Sequence, residues 1–236
     1  MTSLQIYHQV KFHQIIMMKK RGYTLTDVES NMVSSTIENS VSIFDTYFVK
    51  EAQRRGVIIE RLLDAVYVKN GISVGVIFVE NNPGDKQIKK DITEPLSARI
   101  QLSPIRHFIF ISSIKWTSDS YKEFAGYTIY DFEFFLYREL IYDPTTHIFQ
   151  PQFRILNEQQ KQNLIRQLGN QGTIVLKRMC VDDPIAKFLG AKIGDIFKIG
   201  RDNAHMSQAL TNLDYRIVDN TLMFEDKKPK EKVVGT

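Results

Sequence analysis

The sequence predicts an α/β first domain whose sheet is covered by helices on both faces, followed by a small, sheet-based α+β domain. Three observations carry that prediction. From Leu62 to Phe135, short runs rich in Val, Ile and Phe alternate with helical patterns, the order that builds a sheet with helices on its faces. At Asp143-Pro144-Thr145-Thr146 a turn cluster interrupts this alternation, as happens at domain boundaries. Beyond it come an amphipathic helix, a helix-turn-strand unit and a strand of alternating character. The boundaries so placed are 1–145 and 146–219. The segment 220–236 is a charged tail with Pro229 and few apolar residues, a composition expected to stay flexible.

Taken in order, Leu4 to Arg21 carries Ile6, Val10, Ile15, Ile16 and Met18 at helical spacing, and Gly22 follows Lys19-Lys20-Arg21 as a stop. Cations in a last turn suit the helix dipole, so the basic triplet reads as a helix end before it reads as a phosphate contact. A second helix starts at Thr26 or Asp27, and a third spans Ser42 to Arg55, ending at Gly56. Leu62 to Val68 and Ser73 to Val79 read as strands of a hairpin turned by Asn70-Gly71. Asp85 to Leu102 is helical but interrupted by Pro95, which predicts a broken helix. Ile105 to Ile111 is a buried strand, Ser118 to Ala125 a helix and Ile129 to Phe135 a strand.

In the second domain, Asn157 caps a helix that Gly169 stops, and Ile174 to Met179 is a strand. Asp183 can accept from first-turn amides and Pro184 fixes φ at the first helical position, so a short helix starts there. Ile185, Phe188 and Leu189 share one side of it, and Gly190 ends it with positive φ. After a turn at Ala191 to Gly194, Asp195 to Arg201 is a strand. In Leu213 to Val218, Leu213, Tyr215 and Ile217 alternate with Asp214 and Arg216.

Composition narrows the function. At 236 residues, 43% hydrophobic and 25% charged, the chain is globular, can bury a proper core and has room for one large domain or two of ordinary size. No apolar run approaches the roughly 20 residues that span a bilayer, and no export signal opens the chain, so the chain reads as soluble with no membrane partner. One Cys and five His with no zinc spacing give neither a disulfide nor a structural zinc site. The net charge is +4, yet residues 1–146 balance 17 Lys/Arg against 17 Asp/Glu, leaving 14 against 10 in 147–236. Neither half is a strongly basic nucleic-acid binder, so any DNA contact is local and weak.

Catalytic patterns are incomplete. Asp64 and Glu80 stand where an α/β nuclease would hold a divalent metal, but Asn81-Asn82 follows Glu80 and the expected Lys is missing. No Gly-rich phosphate loop occurs: Gly190 and Gly194 lack the Gly-Lys-Ser/Thr ending. Cys180 has no His near it in sequence, and His147 and His205 have no evident acidic partners. Asp182-Asp183 reads as a helix cap. No catalytic residue, cofactor, metal or small-molecule ligand is expected.

The stretch Asp182 to Arg201 resembles the signature of the fifth subunit common to eukaryotic nuclear RNA polymerases, a family that includes a shorter archaeal RNA polymerase subunit. The pattern Asp-Pro-Val-Ala-Arg-Tyr, a variable residue, Gly-Leu-Lys and Arg-Gly corresponds to Asp183, Pro184, Ile185, Ala186, Lys187, Phe188, Leu189, Gly190, Ala191, Lys192, Ile193 and Gly194. Lys198-Ile199 and Arg201 follow as the basic strand, and Tyr215-Arg216-Ile217 matches the closing strand. His147, Pro151 and, more weakly, Lys20-Arg21-Gly22-Tyr23 extend the likeness over about residues 1–219. Departures include Phe153 for a second His, Ile193 for an Arg, and Asn203 to Ser207 in place of Ser-Glu-Thr-Ala-Gly.

The resemblance implies an α/β jaw domain and an α+β assembly domain with a short mixed sheet. It implies a non-catalytic polymerase subunit that docks on the largest subunit and neighbouring small subunits and lies near downstream duplex DNA. The partner-facing residues would be Asp183, Pro184, Lys187, Gly190, Lys192, Gly194, Lys198, Arg201, Tyr215 and Arg216. A family Thr-Pro-Ser-Ala-Lys motif near DNA aligns with Thr117-Ser118-Asp119-Ser120-Tyr121. The motif's Lys is replaced, and Lys115, Thr117, Ser118 and Lys122 are the DNA-proximal candidates. Such a subunit would work in the nucleus if cellular, or in a virion or cytoplasmic viral factory if from a large DNA virus. The alternatives are an α/β nuclease using Asp64 and Glu80, and a freestanding DNA-binding factor.

Overall fold

A computed structural model describes residues 2–80, 87–88, 90–101, 103–201 and 212–220. It forms two compact units, Met1–Asp143 and Pro144–Thr236. Tail residues 221–236 and the segment 203–207 lie outside the described residues. Among the described residues, no helix is long and apolar enough to cross a membrane.

The N-terminal unit begins with α1 (Ser3–Lys20) and α2 (Asp27–Ser34), whose first turns are closed by capping boxes, Thr2 with Gln5 and Thr26 with Glu29. The hydroxyl of each Thr satisfies an amide of the first turn, and the longer side chain reaches back to the cap amide. The third helix starts earlier than Ser42, because Thr36 caps α3 (Ile37–Phe44). The run continues through a π-helical turn, Asp45–Val49, into α4 (Lys50–Arg55), and Gly56 ends it at φ 63°. Leu62 and Leu63 are not in a strand. They belong to α5 (Ile59–Leu63), after which Asp64 accepts the Phe78 amide at 2.7 Å.

The hairpin is β1 (Ala65–Lys69) and β2 (Ile72–Phe78). Asn70 and Gly71 both take positive φ, 51° and 79°, as a type I′ turn requires. After β3 (Gln87–Ile88), α6 (Lys90–Gln101) runs through Pro95 without breaking. Pro95 is exposed while Thr93, Leu96, Ser97 and Ile100 form the buried stripe, so burial of that stripe outweighs the lost backbone bond. There follow β4 (His107–Ser112), β5 (Lys115–Trp116), α7 (Ser118–Ala125) and β6 (Asp131–Leu136).

The main sheet has the order β1-β2-β4-β6, with only β1–β2 antiparallel. Register places Gly75, Ile77, Phe108, Phe110, Phe132 and Phe134 on one face, where they pack with Leu96 and Ile100 of α6 and Phe124 of α7. A Cβ on Gly75 would sit 2.8 Å from the Phe108 ring, so only glycine lets that ring lie across β2. The other face carries Tyr67, Phe78 and Phe135, over which α1 places Lys11 and the adjoining Arg21. Helices flank both faces of this sheet, as the alternation of patterns predicts.

The C-terminal unit contains β7 (Gln152–Ile155), α8 (Glu158–Leu168), β8 (Lys177–Cys180), α9 (Pro184–Leu189), β9 (Ile196–Arg201) and β10 (Asn212–Asp219). Asn157 caps α8 in a capping box with Gln160, and Gly169 ends it. Ile174 and Val175 are not in the strand predicted there. They end a 3-10 run, Gly169–Val175, that Gly172 kinks at φ 52°, and β8 pairs with β10 from Lys177, opposite Arg216, onward. The sheet is mixed, order β7-β9-β10-β8, with β8 and β10 parallel. Its core joins Met179, Ile185, Ala186, Phe197, Ile199 and Val218, with Phe153 and Ile155 packed against them.

Candidate partner interface

The Asp182 to Arg201 unit is built as its residues dictate. The Asp183 carboxylate accepts the Ile185 amide at 2.9 Å and Pro184 occupies the first turn of α9. Ile185, Ala186 and Phe188 are buried, and Gly190 ends the helix at φ 71° with its amide on the Ala186 and Lys187 carbonyls. Lys192 donates its amide to Asp195 Oδ2 at 2.7 Å. Gly194, at φ 89°, donates to the Val218 carbonyl at 2.9 Å, and Val218 donates back to Asp195 at 2.8 Å. The turn is thus stitched to β10. Asp183→Ala is expected to lower the stability of this unit by about 1 kcal/mol through loss of the cap, while Asp183→Asn largely preserves it, as urea denaturation of the two variants would show.

The partner-facing residues expected from the sequence do not share one surface. Strand register pairs Arg216 with Phe197 and Asp214 with Ile199, so Arg216 lies on the face that carries the core. Its Nε is buried 3.6 Å from Asp214 Oδ2 and has no hydrogen-bond partner among the described residues. Lys198 and Tyr215 pair with each other and project from the opposite face, because side chains alternate along a strand. Lys187 is half-buried on α9 and Lys192 is exposed in the turn. Arg201 ends β9. The alternation of β10 leaves its facing open, and the structure sets it: Leu213 is 49% exposed, and the inward residue is Val218, 1% exposed.

Sequence reasoning misses Arg154. It is exposed on β7 and pairs directly with Lys198. Only strand pairing brings the two together, so no local pattern announces it.

In the N-terminal unit, Lys115 and Ser118 are exposed, and Thr117 caps α7 by accepting the Ser120 amide at 3.1 Å. Lys122 and Asp119, both exposed, lie 3.5 Å apart. Asp64 and Glu80 are each engaged by an arginine: Arg99 on Asp64 at 2.9 Å and Arg61 on Glu80 at 2.5 Å. Burial pushes the Asp64 carboxyl above its usual range, against the pull of the Phe78 amide and Arg99. Among the described residues, no group of three His, Cys, Asp or Glu side chains could hold a metal ion. Asp64 and Glu80 thus serve as ion-pair partners of arginines among the described residues.

Residues 142–218 match the family model described as RNA polymerase Rpb5, C-terminal domain. The chain is also similar to the DNA-directed RNA polymerase subunit Rpo5 of Archaeoglobus fulgidus, at 36% identity over 72 residues, which is 30% of this chain and 90% of that subunit. A capped short helix, a turn tied to the last strand and a mixed four-stranded sheet are the features on which this match falls. The chain belongs to the Rpb5 family of non-catalytic RNA polymerase subunits.

Proposed function

We propose that the chain is a structural subunit of a multisubunit DNA-directed RNA polymerase, anchored through residues 146–219 to the largest subunit and neighbouring small subunits. The observation that carries this reading is the coverage of the archaeal subunit, 90% of which is matched by 72 residues of this chain. The shared domain makes up nearly all of that subunit. The candidates for the anchor are the α9 to β9 unit, with Lys187, Lys192 and Arg201, and the sheet residues Lys198 and Tyr215. The N-terminal unit lies near downstream duplex, with Lys115, Ser118 and Lys122 as its DNA-proximal residues. Thr117 supports them by capping α7. A nuclear or cytoplasmic transcription complex is the setting.

Affinity purification of the tagged full chain from its source tests this. The large, catalytic polymerase subunits are expected to co-purify in stoichiometric amount and to survive nuclease treatment. Recovery of the chain without them overturns the proposal.

A further inference from the structure

Across the C-terminal sheet, Arg154 of β7, Lys198 of β9 and Tyr215 of β10 form one row, since Arg154 pairs with Lys198 and Lys198 with Tyr215. Directly opposed residues on neighbouring strands place their Cβ atoms about 5 Å apart, and like charges so placed repel. Three other cations described on this sheet lie within ion-pair distance of a carboxylate. Arg178 pairs with Asp219, and Lys177 and Arg216 lie within 3.5 and 3.6 Å of Asp214. Arg154 and Lys198 have no carboxylate within ion-pair distance among the described residues. The row thus presents a guanidinium, an ammonium and a phenol, all hydrogen-bond donors. One row away on the same face, Leu213 is 49% exposed.

We propose that this row is the contact point for an acidic segment of another polymerase subunit, whose carboxylates sit between Arg154 and Lys198 while an apolar neighbour covers Leu213. The proposal rests on the assembly reading above and specifies which face of the unit is used. Bringing a carboxylate between two opposed cations turns a repulsion into two charge-assisted hydrogen bonds. Arg154 can hold it bidentately, and Tyr215 can donate a further bond. The apolar flank favours a protein segment over a phosphate backbone, which would leave Leu213 against water. The surface is thus complementary to the partner at some cost to the free chain.

The test uses the full chain in its native polymerase, comparing wild type with Arg154→Gln/Lys198→Gln and with Arg166→Gln, an exposed cation of α8. The double variant is expected to lower recovery of the large polymerase subunits at least about tenfold, a loss of about 1.4 kcal/mol. Its urea midpoint as a free chain should be equal to or higher than that of wild type, because the repulsion is gone. Arg166→Gln should recover the polymerase as wild type does. Zero-length carbodiimide coupling should join Lys198 to an Asp or Glu of a polymerase subunit. A double variant that assembles as well as wild type overturns the face assignment alone. A wild-type chain that recovers no polymerase overturns the assembly reading itself. If the double variant assembles normally but the free chain loses retention of duplex DNA, the row belongs to nucleic acid and the proposal fails.

Discussion

Glu29→Ala is expected to destabilise the N-terminal unit by about 3–5 kcal/mol, because it strands a buried ammonium. Lys11 is 1% exposed on α1. Its Nζ donates to Gln14 Oε1 and to the Leu63 carbonyl, each at 3.0 Å, and lies 3.4 Å from Glu29 Oε1. The rings of Phe48, Tyr67 and Phe78 stand 5.8, 5.9 and 5.8 Å away. Glu29 in turn accepts from the Tyr67 hydroxyl and from the Thr26 amide at 3.1 Å. Burial holds the Lys11 amine below its ordinary range despite the attraction of Glu29. Burial would raise the Glu29 carboxyl, but Lys11, Tyr67 and Thr26 together pull it below its usual value.

Removing Glu29 therefore deletes the only carboxylate in ion-pair contact with Lys11 among the described residues, together with half of the α2 capping box. Lys11→Met/Glu29→Gln should lose much less than Glu29→Ala, since no charge is left buried without a partner. Urea denaturation of the full chain followed by Trp116 measures this, because the chain has a single Trp and it lies in the N-terminal unit. A loss below about 1 kcal/mol for Glu29→Ala would show that the ammonium finds other compensation.

Arg21→Met should cost a similar amount, about 3–5 kcal/mol, and should also change the response to acid. Arg21 is 8% exposed and donates to both carboxylate oxygens of Glu133, at 2.9 and 2.7 Å, while His107 Nε2 lies 2.8 Å from Oε1. Burial alone would raise the Glu133 carboxyl. Arg21 and His107 overcome it and hold the group at about 2, against an ordinary 4.5. A carboxylate whose folded value is depressed stabilises the fold above its unfolded value and loses that contribution as pH falls through the folded one. The window here runs from about 4.5 down to about 2, and the contribution at stake is roughly 3 kcal/mol. Arg21→Met should thus be much less stable than wild type near neutral pH and should approach it near pH 2, by the same Trp116 signal. A constant gap between the two proteins across that range would falsify the assignment.

These two networks also show why Lys19-Lys20-Arg21 is only partly legible. As a sequence it reads as a helix end or a phosphate contact. In the fold Lys20 reaches Asp143 at 2.6 Å and Arg21 reaches Glu133, residues more than a hundred positions away. Lys11 and Gln14 escape notice for a related reason. A polar residue on the inner face of an amphipathic helix carries no sign of the partner that pays for its burial.

Features that depend on a few neighbouring residues can be read from the chain without its fold. Thr26 and Asn157 cap their helices, Asn70-Gly71 turns the hairpin, and Asp183, Pro184 and Gly190 bound α9. Each works through one local bond or one backbone preference, so its signal survives without the rest of the chain. The family likeness rests on the same stretch. The facing of β10, the direct opposition of Arg154 and Lys198, and the carboxylates that neutralise Lys11 and Arg21 emerge only from packing. A strand has two faces of equal period, and only its pairing with other strands says which is inward. A charge likewise shows its partner only when distant segments have been brought together.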